Sequence, residues 1–524
     1  MVRTAMIFWI RRCAAVVLAC ALYPPPVAAA EQWLKLTSSH FELFTTAGEK
    51  KGREALLYFE QVRDFFSKAR FGSNSLPSTP VRIIAFRSEK EFAPYRINDS
   101  AIAFYLDGYD RDYIVMRSIT EENYPVAIHE FTHLLVKHSG FDPPVWFNEG
   151  LAEVYSTLKP MGKQVAVGAV NTNTYYFLQQ NKWLPLDTLL AVDRKSPYYN
   201  ERNRTSIFYS ESWALTHMLL LSPAYRPQHN KFVQSIAAGV SASTALWQTY
   251  AKTTAQVQKD LEQYMRGTRF NAAMFDVQLE KSAEEPEVAP APPIESGTVL
   301  ADLLAFTDKK DLARQAYESL AKDFPKSWEP EAGLGELLWH IQKPEDARTD
   351  LARAVELGTT DPRIYFDYAM VLREGNERNG GAAIAPLKRA IELDSGYQDA
   401  HRYLAYCLLE NREYHEAIDQ VKLVKTVKPE QAYSYYHSLA YAYFQIQKLD
   451  EAQKAGEGAR KFARGAEETA TAEDMLRAVA SERERLTSLT KQVAAVRPVN
   501  QPALSSGDGR PTLHRSGPPE EPRN

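Results

Sequence analysis

The sequence predicts an α+β domain followed by an all-α repeat solenoid. Three observations carry this. The first third mixes short strand patterns with helical ones and runs into the helical stretch "PVAIHEFTHLLVKHSGF", residues 125–141. A Pro- and Glu-rich segment, "SAEEPEVAPAPPIESG" (282–297), then interrupts the pattern. Beyond it, similar helical segments recur every 34–36 residues. At 524 residues the chain is too long for one compact core, so two or more domains are expected.

Residues 1–30 have the pattern of a cleavable signal. Arg3, Arg11 and Arg12 are positive, "CAAVVLACALY" is apolar, and Ala28–Ala30 supply a small-residue cleavage site before Glu31. The apolar run is short of the roughly 20 residues that span a bilayer. No transmembrane span is expected after cleavage, and the predicted location is periplasmic or secreted, in a bacterium. Cys13 and Cys20 leave with the signal, so Cys407 remains alone, with no internal disulfide. The formal net charge is -4, without the basic excess that a nucleic-acid partner would need.

"WLKLTSSHFELFTTA" alternates as strands do, and "GREALLYFEQVRDFFSKARF" has helical spacing. "PVRIIAFRS" reads as a buried strand and "AIAFYLDGYDRDYIVMRS" as a hairpin around Gly108. Pro125 suits the first turn of the next helix and Gly140 its stop. "DPPVWFNEGLAEVYSTL" starts a second helix after Pro143 and Pro144. Helical patterns continue to about residue 270, and residues 276–297 are expected to be a linker.

Past the linker, "EDARTDLARAVEL" (345–357), "GAAIAPLKRAIEL" (381–393), "HEAIDQVKLVKTV" (415–427) and "DEAQKAGEGARKF" (450–462) overlay. Ala347, Ala383, Ala417 and Ala452 take equivalent places, and Ala313 precedes them by one period. Ala369, Ala405 and Ala440 keep register in the partner helices. Small residues recur where paired helices must approach. This resembles the tetratricopeptide repeat over residues 298–465, and that resemblance implies a protein partner. A C-terminal helix over 466–489 and a disordered tail over 490–524 complete the chain.

The chemistry lies in H-E-F-T-H. On a helix, His129 and His133 point the same way, because four residues advance only about 40° past a full turn. Two imidazoles so placed can reach one ion, and a catalytic zinc site needs a third protein ligand plus an open position. "NEGLAE" puts Glu149 and Glu153 on one face of the following helix. The turn between the two helices lets the chain double back, bringing Glu149 to the third ligand position.

H-E-F-T-H followed by N-E-G-L-A-E resembles the gluzincin metallopeptidases, and more narrowly the peptidase MA-like proteins. The resemblance implies a zincin-like metallopeptidase domain over 31–275. It implies one Zn2+ per chain on His129, His133 and Glu149, with Glu130 as general base. Glu153 would be a hydrogen-bond partner of a ligating histidine. The G-x-M-E-N motif of the aminopeptidases is absent, which points to an endopeptidase acting on protein or peptide substrates. Zinc suits this donor set best among divalent ions.

The resemblance also implies a Tyr or His downstream of the ligands as oxyanion donor; Tyr209 is the candidate, with His217 on the same stretch as its rival and a packed aromatic as the alternative reading of Tyr209. "RDYIVMRS" is either an edge strand that pairs with an extended peptide or simply core. His138 reads as a surface histidine near a helix end. Two other functions fit the sequence: a catalytically weak or inactive envelope adaptor acting through its repeats, and a zinc hydrolase of another acyl substrate.

Overall fold

The computed structural model describes residues 32–68, 79–99, 101–108, 111–200, 202–267, 270, 272–279, 281–374 and 380–496. The expected signal segment and residues 497–524 of the expected tail lie outside these. The chain forms two compact units, residues 1–367 and 368–524.

The first unit is built on a sheet. β1 (Leu34–Thr37) and β2 (Phe41–Thr45) are followed by helix α1 (Glu49–Lys68), β3 (Val81–Ala85) and the hairpin β4 (Ala103–Asp107) and β5 (Asp112–Met116). Then come α2 (Tyr124–His138), α3 (Val145–Tyr155), β6 (Lys159–Met161) and β7 (Gln164–Val167). The short helix α4 (Pro197–Asn200) leads into the long helix α5 (Arg202–Leu221). β8 (Ala273–Asp276) joins β6 and β7 in a three-stranded antiparallel sheet.

The main sheet runs β4-β5-β3-β2-β1-β9, where β9 is Glu287–Pro290. β2, β3 and β5 are mutually parallel, and β4, β1 and β9 pair antiparallel. The pleat sends successive side chains to opposite faces. Leu43, Ile83 and Ile114 enter the core beneath α1 and α2, while Phe44, Ile84 and Val115 enter a second core on the far side. A sheet buried on both faces accounts for strands that read as continuous apolar runs.

Two expectations change here. Residues 276–297 are not a linker. β9 pairs with β1 in register Leu34↔Pro290 through Thr37↔Glu287, and helix α6 (Pro293–Phe306) follows at once. Its Val299 and Leu303 fill the second core beside Phe44, Ile84 and Val115. Proline withholds a ladder donor, so a strand that ends on Pro290 suits a sheet edge, which is where β9 lies. Of the two roles open to "RDYIVMRS", the structure takes the core one. β5 lies between β4 and β3 with all five residues buried, and the edge on that side is β4.

Helix pairs continue within the first unit as α7 (Lys310–Asp323), α8 (Glu329–His340) and α9 (Pro344–Glu356). The division between units falls inside α10 (Pro362–Glu374). The second unit contains α11 (Gly380–Leu393), α12 (Gln398–Glu410), α13 (Tyr414–Leu423), α14 (Ala432–Gln445), α15 (Leu449–Phe462) and α16 (Gly465–Val496). Ala313, Ala347, Ala383, Ala417 and Ala452 are all fully buried, as are Ala369, Ala405 and Ala440. Cys407 is buried and unpaired. α16 runs past the expected end of the last helix at 489, so residues 490–496 are helical rather than disordered tail. No helix among the described residues is long and apolar enough to cross a membrane.

Candidate metal centre

Helix α2 starts with Pro125 in its first turn, where the missing N–H has no intrahelical partner to lose. It ends before Gly140, whose φ of +70° is a left-handed conformation that glycine adopts without strain. Ala127, Ile128, Phe131, Leu134 and Leu135 bury one side of the helix in the main core. That anchoring turns His129 and His133 toward α3.

The two rings meet with their Nε2 atoms 3.1 Å apart. Oε2 of Glu149 lies 3.4 Å from Nε2 of His129 and 3.4 Å from Nε2 of His133. Nδ1 of His129 faces Oε1 of Glu153 at 3.5 Å. Glu149 is only 3% exposed, and its Oε2 accepts no hydrogen bond among the described residues.

Glu149 reaches this point because α3 lies hard against α5. A Cβ on Gly150 would come within 2.1 Å of Oγ1 of Thr216 and 2.4 Å of the Ser212 carbonyl oxygen. Only glycine permits that approach, and the carboxylate beside it is carried into the site.

The arrangement fits an ion. Three donors about 2.0–2.2 Å from one centre, at tetrahedral angles, stand about 3.4 Å from one another. Two imidazoles and one carboxylate are a catalytic zinc donor set, and a buried carboxylate oxygen without a donor is what a cation would satisfy.

Burial works to raise the Glu149 carboxyl, but the two facing imidazoles overcome it and hold it at about 2. Burial works to lower the His129 imidazole, and Glu149 and Glu153 outweigh it and raise it. Burial raises the Glu130 carboxyl despite the neighbouring histidines, and its carboxylate takes a backbone N–H from Tyr105 on β4.

Of the two candidates on α5, the structure brings only Tyr209 to the site. Its ring lies 6.5 Å from that of His129. His217 is buried in the core, with Nδ1 2.8 Å from the Tyr264 hydroxyl and Nε2 3.2 Å from the Gly168 carbonyl, so it is a packing residue. His138 is exposed at the helix end, as expected of a surface histidine, and it has a partner. Its Nε2 lies 2.7 Å from Oδ2 of the buried Asp112, which also accepts from the Tyr105 hydroxyl. Lys137 pairs with Asp107, so the last turn of α2 holds the β4–β5 hairpin at both carboxylates.

One residue at the site escapes sequence reasoning. The Tyr199 hydroxyl donates to Oε1 of Glu149 at 3.3 Å, and its ring stacks on Tyr209 with centroids 6.4 Å apart. It stands 50 residues from Glu149 on a four-residue helix, where no periodicity marks it.

Residues 298–362 and 368–432 match the tetratricopeptide repeat family. With the buried register alanines, this establishes tetratricopeptide repeats in the C-terminal region. Among solved structures, the MamA protein is 28% identical, with a TM-score of 0.28, over 32% of this chain and 91% of its own. YrrB, a TPR protein with an unusual peptide-binding site, is 18% identical, with a TM-score of 0.31, over 34% of this chain and 90% of its own. MamA from Desulfovibrio magneticus RS-1 is 16% identical, with a TM-score of 0.25, over 32% and 96%. No curated protein matches the chain.

Proposed function

We propose that the chain is a zinc-dependent endopeptidase, periplasmic or secreted in a bacterium, whose repeats recruit a protein substrate or partner. The observation that carries this is the triangle of His129, His133 and Glu149, one possible ligand atom from each lying within 4.8 Å of the others. Buried polar atoms left unsatisfied cost on the order of 1–3 kcal/mol, and a cation on all three removes that penalty. One Zn2+ held there would supply Lewis acidity to a substrate carbonyl and to the attacking water.

The remaining steps belong to the chain. Glu130, held by the Tyr105 N–H, takes the proton of the water and returns it to the leaving amine. Its burial-raised basicity suits that exchange. The Tyr209 hydroxyl stabilises the oxyanion. The edge of β4, beside Glu130, offers the backbone groups that an extended peptide would pair with by strand addition. The repeats support recruitment, because stacked helix pairs serve as protein-binding surfaces.

The repeat match favours a second reading, an adaptor with little catalysis. Metal content and cleavage of an unfolded protein separate the two. The wild-type chain is expected to hold about one zinc, and Glu149→Ala none. Glu130→Gln is expected to keep zinc and lose roughly 10²–10⁴-fold in cleavage rate. A wild-type protein that takes up no zinc leaves the adaptor reading standing. Equal cleavage by wild type and Glu130→Gln removes Glu130 as the base.

A further inference from the structure

We propose that Tyr199 is a positioning residue that makes Glu149 a one-oxygen ligand and so keeps a coordination position open. The inference rests on the metal reading above and goes beyond it, because it concerns how the third ligand is held.

A carboxylate has two oxygens and can meet an ion with one or with both. Which it does depends on what else its oxygens bond. Here they are differentiated. Oε1 takes the Tyr199 hydroxyl at 3.3 Å, while Oε2 alone faces Nε2 of His129 and Nε2 of His133, at 3.4 Å each. Swinging Oε1 into the triangle would break its bond to Tyr199. A two-oxygen carboxylate with two imidazoles would fill four positions of a small ion. A one-oxygen carboxylate leaves the fourth for water or substrate, which a catalytic site requires.

Tyr199 is built to hold that place. Its backbone N–H bonds the Ser196 carbonyl at 3.0 Å, which fixes the turn it stands on. The Asn200 side-chain amide donates to the carbonyls of Arg194 at 2.7 Å and Ser196 at 3.1 Å, tying down the same turn. The ring is set edge-on to Phe208, with centroids 6.0 Å apart, and lies flat on Tyr209. Tyr209 in turn hydrogen-bonds the Tyr199 phenol. The Tyr199 phenol therefore sits between Tyr209 and Glu149, and its own hydroxyl makes the bond to the carboxylate.

The test uses the full chain with Tyr199→Phe, which keeps the ring against Phe208 and Tyr209 and removes only the hydroxyl. Tyr209→Phe is the control, because the hydrogen bond to Oε1 of Glu149 comes from Tyr199. Zinc affinity is measured by chelator competition, and coordination by the visible absorption of the Co2+-loaded proteins. Removing a hydrogen-bond partner of a metal ligand typically costs 10–100-fold in affinity. Tyr199→Phe is expected to weaken zinc by about that factor. Its Co2+ bands are expected to shift and change in intensity, as the second carboxylate oxygen takes the position that water holds in the wild type. Tyr209→Phe is expected to leave the four-coordinate spectrum in place. A Tyr199→Phe protein with wild-type affinity and an unchanged Co2+ spectrum overturns the proposal while leaving the metal site intact. A wild-type chain that binds neither Zn2+ nor Co2+ overturns the metal reading and this proposal together.

Discussion

Helices α3 and α5 in the first unit, and α15 and α16 in the second, both come together at a glycine, but they bury different chemistry. At the first crossing Gly150 touches the Ser212 backbone, and α5 buries Ser210, Glu211, Ser212, Thr216 and His217 beside it. At the second, Gly456 meets only the Leu476 side chain, and the neighbouring buried residues are Ala452, Ala455, Ala459, Ala472 and Val479. Apolar packing of the second kind stabilises without orienting anything. Burying polar groups is costly unless they are bonded, and bonding fixes their positions, as it does here for Glu211 and His217, while the Ser212 and Thr216 hydroxyls take no partner among the described residues. The polar crossing is the one that carries Glu149 and Tyr209.

The sharpest way to break this contrast is Gly150→Ala. Its methyl has no room against the Ser212 carbonyl, so α3 and α5 must move apart. Overpacking of this kind costs about 1–3 kcal/mol, and here it outweighs the roughly 1 kcal/mol that alanine gains over glycine in a helix. Urea unfolding should show a loss of about 2 kcal/mol. The same displacement should release zinc from the variant. A Gly150→Ala protein with wild-type stability and zinc content would mean that the close approach does not position Glu149.

The next effect has the opposite sign. Burial pushes the Glu211 carboxyl up to about 8, against the Leu184 N–H that its Oε1 accepts. Between the ordinary carboxylate range and pH 8, the unfolded chain has released a proton that the folded chain retains. Stability therefore falls as pH rises through that window. Glu211→Gln removes the ionisation. It should be more stable than wild type by about 1–3 kcal/mol at pH 8 and by much less at pH 5, read from thermal unfolding across that range. An advantage that does not grow with pH would show that Glu211 is already ionised in the fold.

The smallest effect is expected at Gly456→Ala, where the contact is with Cδ2 of Leu476, the end of a flexible side chain. Helix propensity offsets the crowding, and the net change should stay below about 1 kcal/mol in the same urea measurement. If it matches Gly150→Ala, the two crossings are equivalent and the comparison fails.

Much of the fold is legible in the chain because it rests on periodicity. The alanines from Ala313 to Ala452 recur every 34–36 residues, and each is buried, since a helix pair that closes on a small side chain must repeat that residue with the pair. His129 and His133 are legible as neighbours for a similar reason, as a spacing of four lies on one helix face. Glu149 is legible from the short turn that returns α3 along α2. In each case a local rule settles which side chains meet.

The rest follows from what packs against what. β9 looked like a linker because prolines stand in and around it, yet an edge strand pairs on one side only and β1 was available to it. β4 rather than β5 became the edge because β5 found β3 as a parallel partner, a pairing no local pattern announces. Tyr209 and His217 share one helix, and only the neighbours of each place one beside His129 and the other beneath Gly168. Tyr199 reaches Glu149 across 50 residues. The sequence by itself determined the repeat register and the pairing of the two histidines, because helical periodicity is local. The tertiary structure alone decided which strand forms the edge and which hydroxyl meets Glu149, because those contacts exist only once separate elements have packed.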